Sequence, residues 1–230
     1  MLGRSGMLFE DRRHAGRTLA RGLDAYAGRD DVLILALPRG GVPVAYEVAE
    51  ALAAPLDVFL VRKLGVPGHE ELAMGAIASG GVRVLNAAIV AQFRIPASQI
   101  EAVTRQEERE LRRRERDYRG DHPPLNVRER TVILVDDGLA TGSSMRAAIA
   151  AVRRLGPKRV VVAVPVAPPA TCRELSALAD KVISSATPEP FLSVGRFYQD
   201  FEQTGDEEVK ELLERATARE PVAQGRRGSR

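Results

Sequence analysis

The chain has 230 residues, 44% hydrophobic and 28% charged, the balance of an ordinary globular domain rather than of a disordered or fibrous chain. A core of this size buries roughly 70% of the unfolded surface without disulfide or structural metal, and one cysteine with three scattered histidines excludes a zinc-ligand cluster. The formal charge of +3 sits in the last residues, where Arg219, Arg226, Arg227 and Arg230 face only Glu220, so the body is neutral and no nucleic-acid partner is expected.

Met1 to Arg13 is too charged for a signal peptide, and no apolar run approaches the ~20 residues that cross a bilayer. These features predict a cytoplasmic protein without membrane contact. Apolar periodicity predicts a helix over Asp11 to Leu23, a buried strand over Val32 to Leu37, a helix over Val42 to Leu52 and a strand over Val58 to Val61. Ala73 to Ala78 and Val82 to Leu85 flank Ser79-Gly80-Gly81 and suit a hairpin. A long helix follows from Ala97 to Tyr118. Between Glu101 and Arg119 seven arginines face six acids, and Glu108 with Arg112, Glu110 with Arg114 and Glu115 with Arg119 stand at i,i+4, so a solvated, self-paired helix is expected. Thr131 to Val135 and Arg159 to Val164 are β-branched runs separated by a helical Ser143 to Leu155, which requires a parallel crossover. Asp206 to Ala216 reads as a last helix with Asp206 as cap and acids in its first turn. The fold class is therefore α/β, an open and mostly parallel sheet flanked by helices. The expected organisation is one domain over 1–216, with core segments 30–86 and 127–200, a helical insertion or hood at 87–126, and a flexible tail at 217–230.

The chemistry-bearing stretch is Thr131 to Met145, in which a buried strand runs into Asp136 and Asp137, then Gly138-Leu139-Ala140-Thr141-Gly142, then Ser143 and Ser144 at a helix start. Free N–H groups at such a helix start, with the hydroxyls of Thr141, Ser143 and Ser144, suit a phosphate. Paired carboxylates at the end of a central strand suit a vicinal diol or a metal-bound water. Phosphate and diol together describe a ribose 5-phosphate. A Walker A loop is excluded because no Gly-Lys-Ser/Thr is present.

This stretch resembles the diphosphoribose (PRPP) motif of the type I phosphoribosyltransferases: four apolar residues, two acids, and a loop ending in Thr-Gly. Two other segments resemble that family in matching order. Leu37-Pro38-Arg39-Gly40-Gly41 stands where the family places its pyrophosphate loop, often with a non-proline cis peptide. Val61-Arg62-Lys63-Leu64-Gly65-Val66-Pro67-Gly68 stands where the family has a mobile lid, and looks most like that of adenine phosphoribosyltransferases. The resemblance implies a type I phosphoribosyltransferase-like core and a Mg²⁺-dependent pentosyltransferase that moves ribose 5-phosphate from PRPP to a small nitrogenous acceptor and releases pyrophosphate. Asp136 and Asp137 would hold the ribose, with Asp136 meeting the metal through water or PRPP. Ala140, Thr141, Gly142, Ser143 and Ser144 would hold the 5-phosphate, and Arg39, Gly40 and Gly41 the pyrophosphate. Lys63, Arg62 and Asp137 are the expected catalytic residues.

The acceptor is left open. Ala140 stands where 6-oxopurine enzymes carry an aspartate base, and the strand after the lid lacks the glutamate of adenine enzymes. Phe191, equally a core residue, and Glu71, a type of acid more often solvent-facing, are the candidates for contact with the base. The alternative function is a PRPP- or nucleotide-sensing regulator without turnover. Whether the chain forms a homo-oligomer is also open.

Overall fold

The computed structural model describes residues 7–120 and 126–219. Its centre is a five-stranded sheet in the order β2-β1-β6-β7-β8, all parallel, from β1 (Val32–Ala36), β2 (Leu56–Val58), β6 (Thr131–Val135), β7 (Arg159–Val166) and β8 (Lys181–Ala186). The apolar runs of β1, β6 and β7 are continuous because both faces of these strands are covered. Val32, Ile34 and Ala36 of β1, with Ile133 and Val135 of β6, pack under α1 (Arg12–Ala20), α2 (Gly41–Leu52) and α7 (Asp206–Ala218). The alternate residues Leu33, Leu35, Val132 and Leu134 pack under α5 (Ser143–Arg154) and α6 (Pro169–Ser176).

A second, antiparallel sheet is formed by β3 (Val61–Val66), β4 (His69–Ala78) and β5 (Val82–Leu85), followed by α3 (Ala87–Gln92) and α4 (Ala97–Arg119). The single strand expected at Val58 to Val61 is divided here. β2 stays with β1, and the chain crosses to the second sheet at Phe59-Leu60. Ser79 fixes the crossing: its Oγ accepts from Leu60 N at 3.0 Å, and its own N–H donates to Leu60 O at 2.9 Å. The lid-like segment is consequently a strand and tight turn rather than an open loop, with Val61, Arg62 and Lys63 facing Ala78, Ile77 and Ala76.

Three further expectations are corrected. Gly205, not Asp206, occupies the cap position of α7, and the carboxylate of Asp206 instead accepts from the Tyr118 hydroxyl. Arg119 turns to Asp57 on β2 at 2.9 Å rather than along its own helix to Glu115. α7 extends to Ala218, two residues into the expected tail, while the rest of that tail from 220 and the end of the insertion at 121–125 lie outside the described residues. β8 escaped the sequence reading because Lys181-Val-Ile-Ser-Ser-Ala186 is a half-exposed edge strand with no sustained apolar pattern. Among the described residues, no helix is long and apolar enough to cross a membrane.

Candidate active site

The crossover after β1 leads to β2 on one side of the sheet, and that after β6 leads to β7 on the other. The topological switch point therefore lies between the carboxyl ends of β1 and β6, where open α/β sheets hold their ligands. Residues 37–41 and 136–142 meet there. The Pro38–Arg39 peptide is cis. A side chain at Gly41 would stand 2.8 Å from Val135 O and 2.9 Å from Asp136 Cα, and one at Gly40 would overlap Asp137 Oδ2. Both glycines are thus required by the close contact of the two loops.

Gly142 turns the chain into α5 with a left-handed φ of +69°. The first helical bond runs from Arg146 N to Gly142 O, so the N–H groups before it in α5 are open to a ligand. The Thr141 and Ser143 hydroxyls lie 3.1 Å apart beside them. The cradle is held from below, where Leu139 N donates to Val166 O at 2.9 Å and Thr171 Oγ1 to Ala140 O at 2.9 Å. It encloses a cavity of about 140 Å³ lined by Asp136 and residues 138–145. A second cavity of about 110 Å³ shares Asp136 and Ser144 with the first and adds Pro38, Arg62 and Arg114.

The two acids have different environments. Asp136 is half-buried, and desolvation together with the neighbouring Asp137 charge pushes its carboxyl well above the usual range, while Asp137 N–H donates to its Oδ1 at 2.9 Å. Burial also raises Asp137, but Arg12 opposes this, its Nε lying 2.8 Å from Asp137 Oδ2. Arg12 in turn lies over the Phe201 ring at 3.9 Å, and the Tyr198 hydroxyl donates to Asp137 O at 2.5 Å. Arg12 and Tyr198 were missed by sequence reasoning, since nothing local in either segment points to residue 137.

The remaining predicted residues divide between the site and its surroundings. Arg62 faces the second cavity and pairs with Glu107. Lys63, its neighbour on the strand, takes the opposite face and pairs with the exposed Glu71 at 3.2 Å, so neither Lys63 nor Glu71 lines either cavity. Arg39 approaches Asp206 at 3.9 Å. Phe191 packs on Phe197 with ring centroids 5.2 Å apart, at the edge of a small cluster containing Phe9, Val166 and Tyr198. The same segment closes on the loop after β6, because a side chain at Gly138 would meet Val194 Cγ1 at 2.5 Å.

No group of three or more His, Cys, Asp or Glu side chains able to hold a metal converges among the described residues. Asp136, beside the phosphate cradle, is a carboxylate of the kind that a hard cation such as Mg²⁺ takes as a ligand, directly or through water.

A mostly parallel sheet with a hydroxyl-rich phosphate cradle and paired acids at its switch point defines a protein of the phosphoribosyltransferase kind. A family model described as the phosphoribosyl transferase domain matches residues 9–191, and the chain belongs to that family, in its type I branch. It is 46% identical over 209 residues to "Putative phosphoribosyl transferase Rv0571c" of Mycobacterium tuberculosis, a match covering 91% of this chain and 47% of that protein. The chain thus spans about half the length of this curated relative. "Bifunctional protein PyrR" of Chloroflexus aurantiacus is 34% identical over 132 residues, covering 55% of this chain and 65% of that protein. The crystal structure of TT1426 from Thermus thermophilus superposes with a TM-score of 0.80 at 45% identity, over 90% of this chain and 98% of that one.

Proposed function

We propose that the protein is a cytoplasmic, Mg²⁺-dependent phosphoribosyltransferase that moves ribose 5-phosphate from PRPP to a small nitrogenous acceptor and releases pyrophosphate. The observation that carries this reading is the contact of the Gly40-Gly41 turn with Asp136 and Asp137 at the end of β6, directly beside the 138–145 phosphate cradle. Each part matches a portion of PRPP: 5-phosphate, ribose hydroxyls and diphosphate.

The reaction separates the anomeric carbon from diphosphate through an oxocarbenium-like transition state, so the protein needs to position charge rather than supply a nucleophile. The α5 N-terminus with Thr141, Ser143 and Ser144 holds the 5-phosphate. Asp136 accepts from the ribose hydroxyls, and Asp137, tied to Arg12, keeps the loop in place. Arg39 and the flanking N–H groups of Gly40 and Gly41 take the departing diphosphate, with Arg62 beside them. Mg²⁺, when bound, neutralises part of the diphosphate charge. Lys63 and Glu71 face outward on the β3–β4 hairpin and would reach the reacting centre only if that hairpin moved. This outward orientation also favours the second reading, a sensor that binds PRPP without turnover.

Pyrophosphate release from PRPP and Mg²⁺ across a panel of nitrogenous bases tests the proposal. At least one base should support release, and hypoxanthine, guanine and adenine should be poor acceptors because the groups that purine enzymes use are missing. PRPP binding without release for any base would leave the sensor. No PRPP binding would overturn both readings.

A further inference from the structure

The inserted helix α4 enters the site with charge. Glu107, Leu111, Arg114 and Tyr118 are spaced by four, three and four residues and so share one face. Leu111 and Tyr118 are buried on it. That face packs on β3, which places Arg114 opposite Arg62 across the cavity that also contains Pro38, Asp136 and Ser144. The cavity therefore lies between the phosphate cradle and the Pro38–Arg39 turn, with two guanidinium groups on its wall. A third arginine is near: Arg39 lies 3.9 Å from Asp206, the carboxylate that accepts from the Tyr118 hydroxyl. Arg113 differs, being more exposed and paired with Glu110 and Asp117 along the outer side of the helix.

We propose that Arg114 binds the diphosphate group of PRPP together with Arg62, and that Glu107 and Glu110 hold these two guanidinium groups until diphosphate displaces them. The inference rests on the phosphoribosyltransferase reading of the site. Each arginine already has a carboxylate partner from α4, Arg62 with Glu107 at 2.5 Å and Arg114 with Glu110 at 2.8 Å. Such partly exposed pairs contribute little and are readily exchanged for a stronger partner. A diphosphate carries several charges and offers paired oxygens to the planar fork of arginine, so it is the stronger partner. α4 then acts as a hood that contributes both the cation and the carboxylate that occupies it before substrate arrives.

Calorimetric titration of inorganic pyrophosphate with Mg²⁺, and separately of ribose 5-phosphate, tests this on the full chain. Arg114→Ala should weaken pyrophosphate binding about tenfold, the equivalent of roughly 1.4 kcal/mol, and leave ribose 5-phosphate within about twofold. Arg114→Lys should recover part of the loss. Glu110→Gln should tighten pyrophosphate binding by freeing Arg114. Unchanged pyrophosphate binding in Arg114→Ala, with ribose 5-phosphate still bound, would overturn the role of Arg114 and leave the family reading of the site intact. Equal loss of both ligands with a lowered melting midpoint would mean that Arg114 only supports the fold, and would equally overturn it. Failure of the unmodified protein to bind either ligand or PRPP would remove the reading of the site and this proposal with it.

Discussion

At the scale of residues, the two acids at the end of β6 bear on stability through different neighbours, Asp136 through its burial beside Asp137 and Asp137 through its pair with Arg12. Because the folded-state pKa of Asp136 is raised by burial and by Asp137, its contribution to stability is fully present below the unfolded value of about 3.9 and is lost as pH rises through the folded value. At neutral pH, where the unfolded chain releases this proton readily, Asp136 therefore costs stability. Asp136→Asn, which keeps an oxygen for the Asp137 N–H, should raise the melting midpoint of the ligand-free protein at pH 7 and lose that advantage as pH approaches 4. It should also abolish the PRPP-induced shift. Melting curves across this range decide the matter, and a variant less stable than the parent at pH 7 would contradict the assigned cost. Arg12→Ala serves as the contrast: both partners of its pair with Asp137 are mostly buried, at 12% and 15% side-chain exposure, and removing the cation should destabilise by about 3 kcal/mol, the low end for a buried pair.

At the scale of elements, the site depends on two loops pressed together at adjacent strand ends. Gly41→Ala introduces a methyl group 2.8 Å from the carbonyl of Val135, a backbone atom that cannot move aside without shifting β6. The expected cost is about 1 to 3 kcal/mol, together with loss of PRPP affinity as residues 136–142 are displaced. Chemical denaturation and ligand titration of the same variant check both, and a fully stable, fully binding Gly41→Ala would show that the contact has no role in holding the loops. The parallel core was legible in the sequence because β1, β6 and β7 are each buried on both faces and read as unbroken apolar runs. The hairpin β3–β4 was not, because Arg62-Lys63 and His69-Glu70-Glu71 break the period-two pattern that marks a strand. Charge pairing along α4 was legible for Glu108 with Arg112 and Glu110 with Arg114, whose partners are one turn apart. It failed at Arg119, where a strand of the sheet supplied a nearer acid.

At the scale of the whole molecule, a ligand that bridges the loops after β1 and β6 couples both halves of the sheet to the folded state. PRPP with Mg²⁺ at about a hundred times its dissociation constant adds about 2.7 kcal/mol, which for a chain of this size is a rise in melting midpoint of about 5 to 10 °C. A differential scanning measurement at saturating PRPP checks this; an unmoved midpoint would sink the assignment of the crevice to PRPP.

The strand, paired acids and hydroxyl-lined helix start over residues 131–145 were legible in the sequence alone, because they are relations among neighbours only a few positions apart. The same holds for the α/β class and for the Gly-rich turn at 40–41. Tertiary structure alone decided that Arg12 reaches Asp137 from 125 positions away, that Arg62 rather than Lys63 faces the crevice, and that α4 carries Arg114 into it. Those outcomes follow from strand order and from the face each side chain takes once the chain changes sheets at Phe59-Leu60, and local periodicity carries neither.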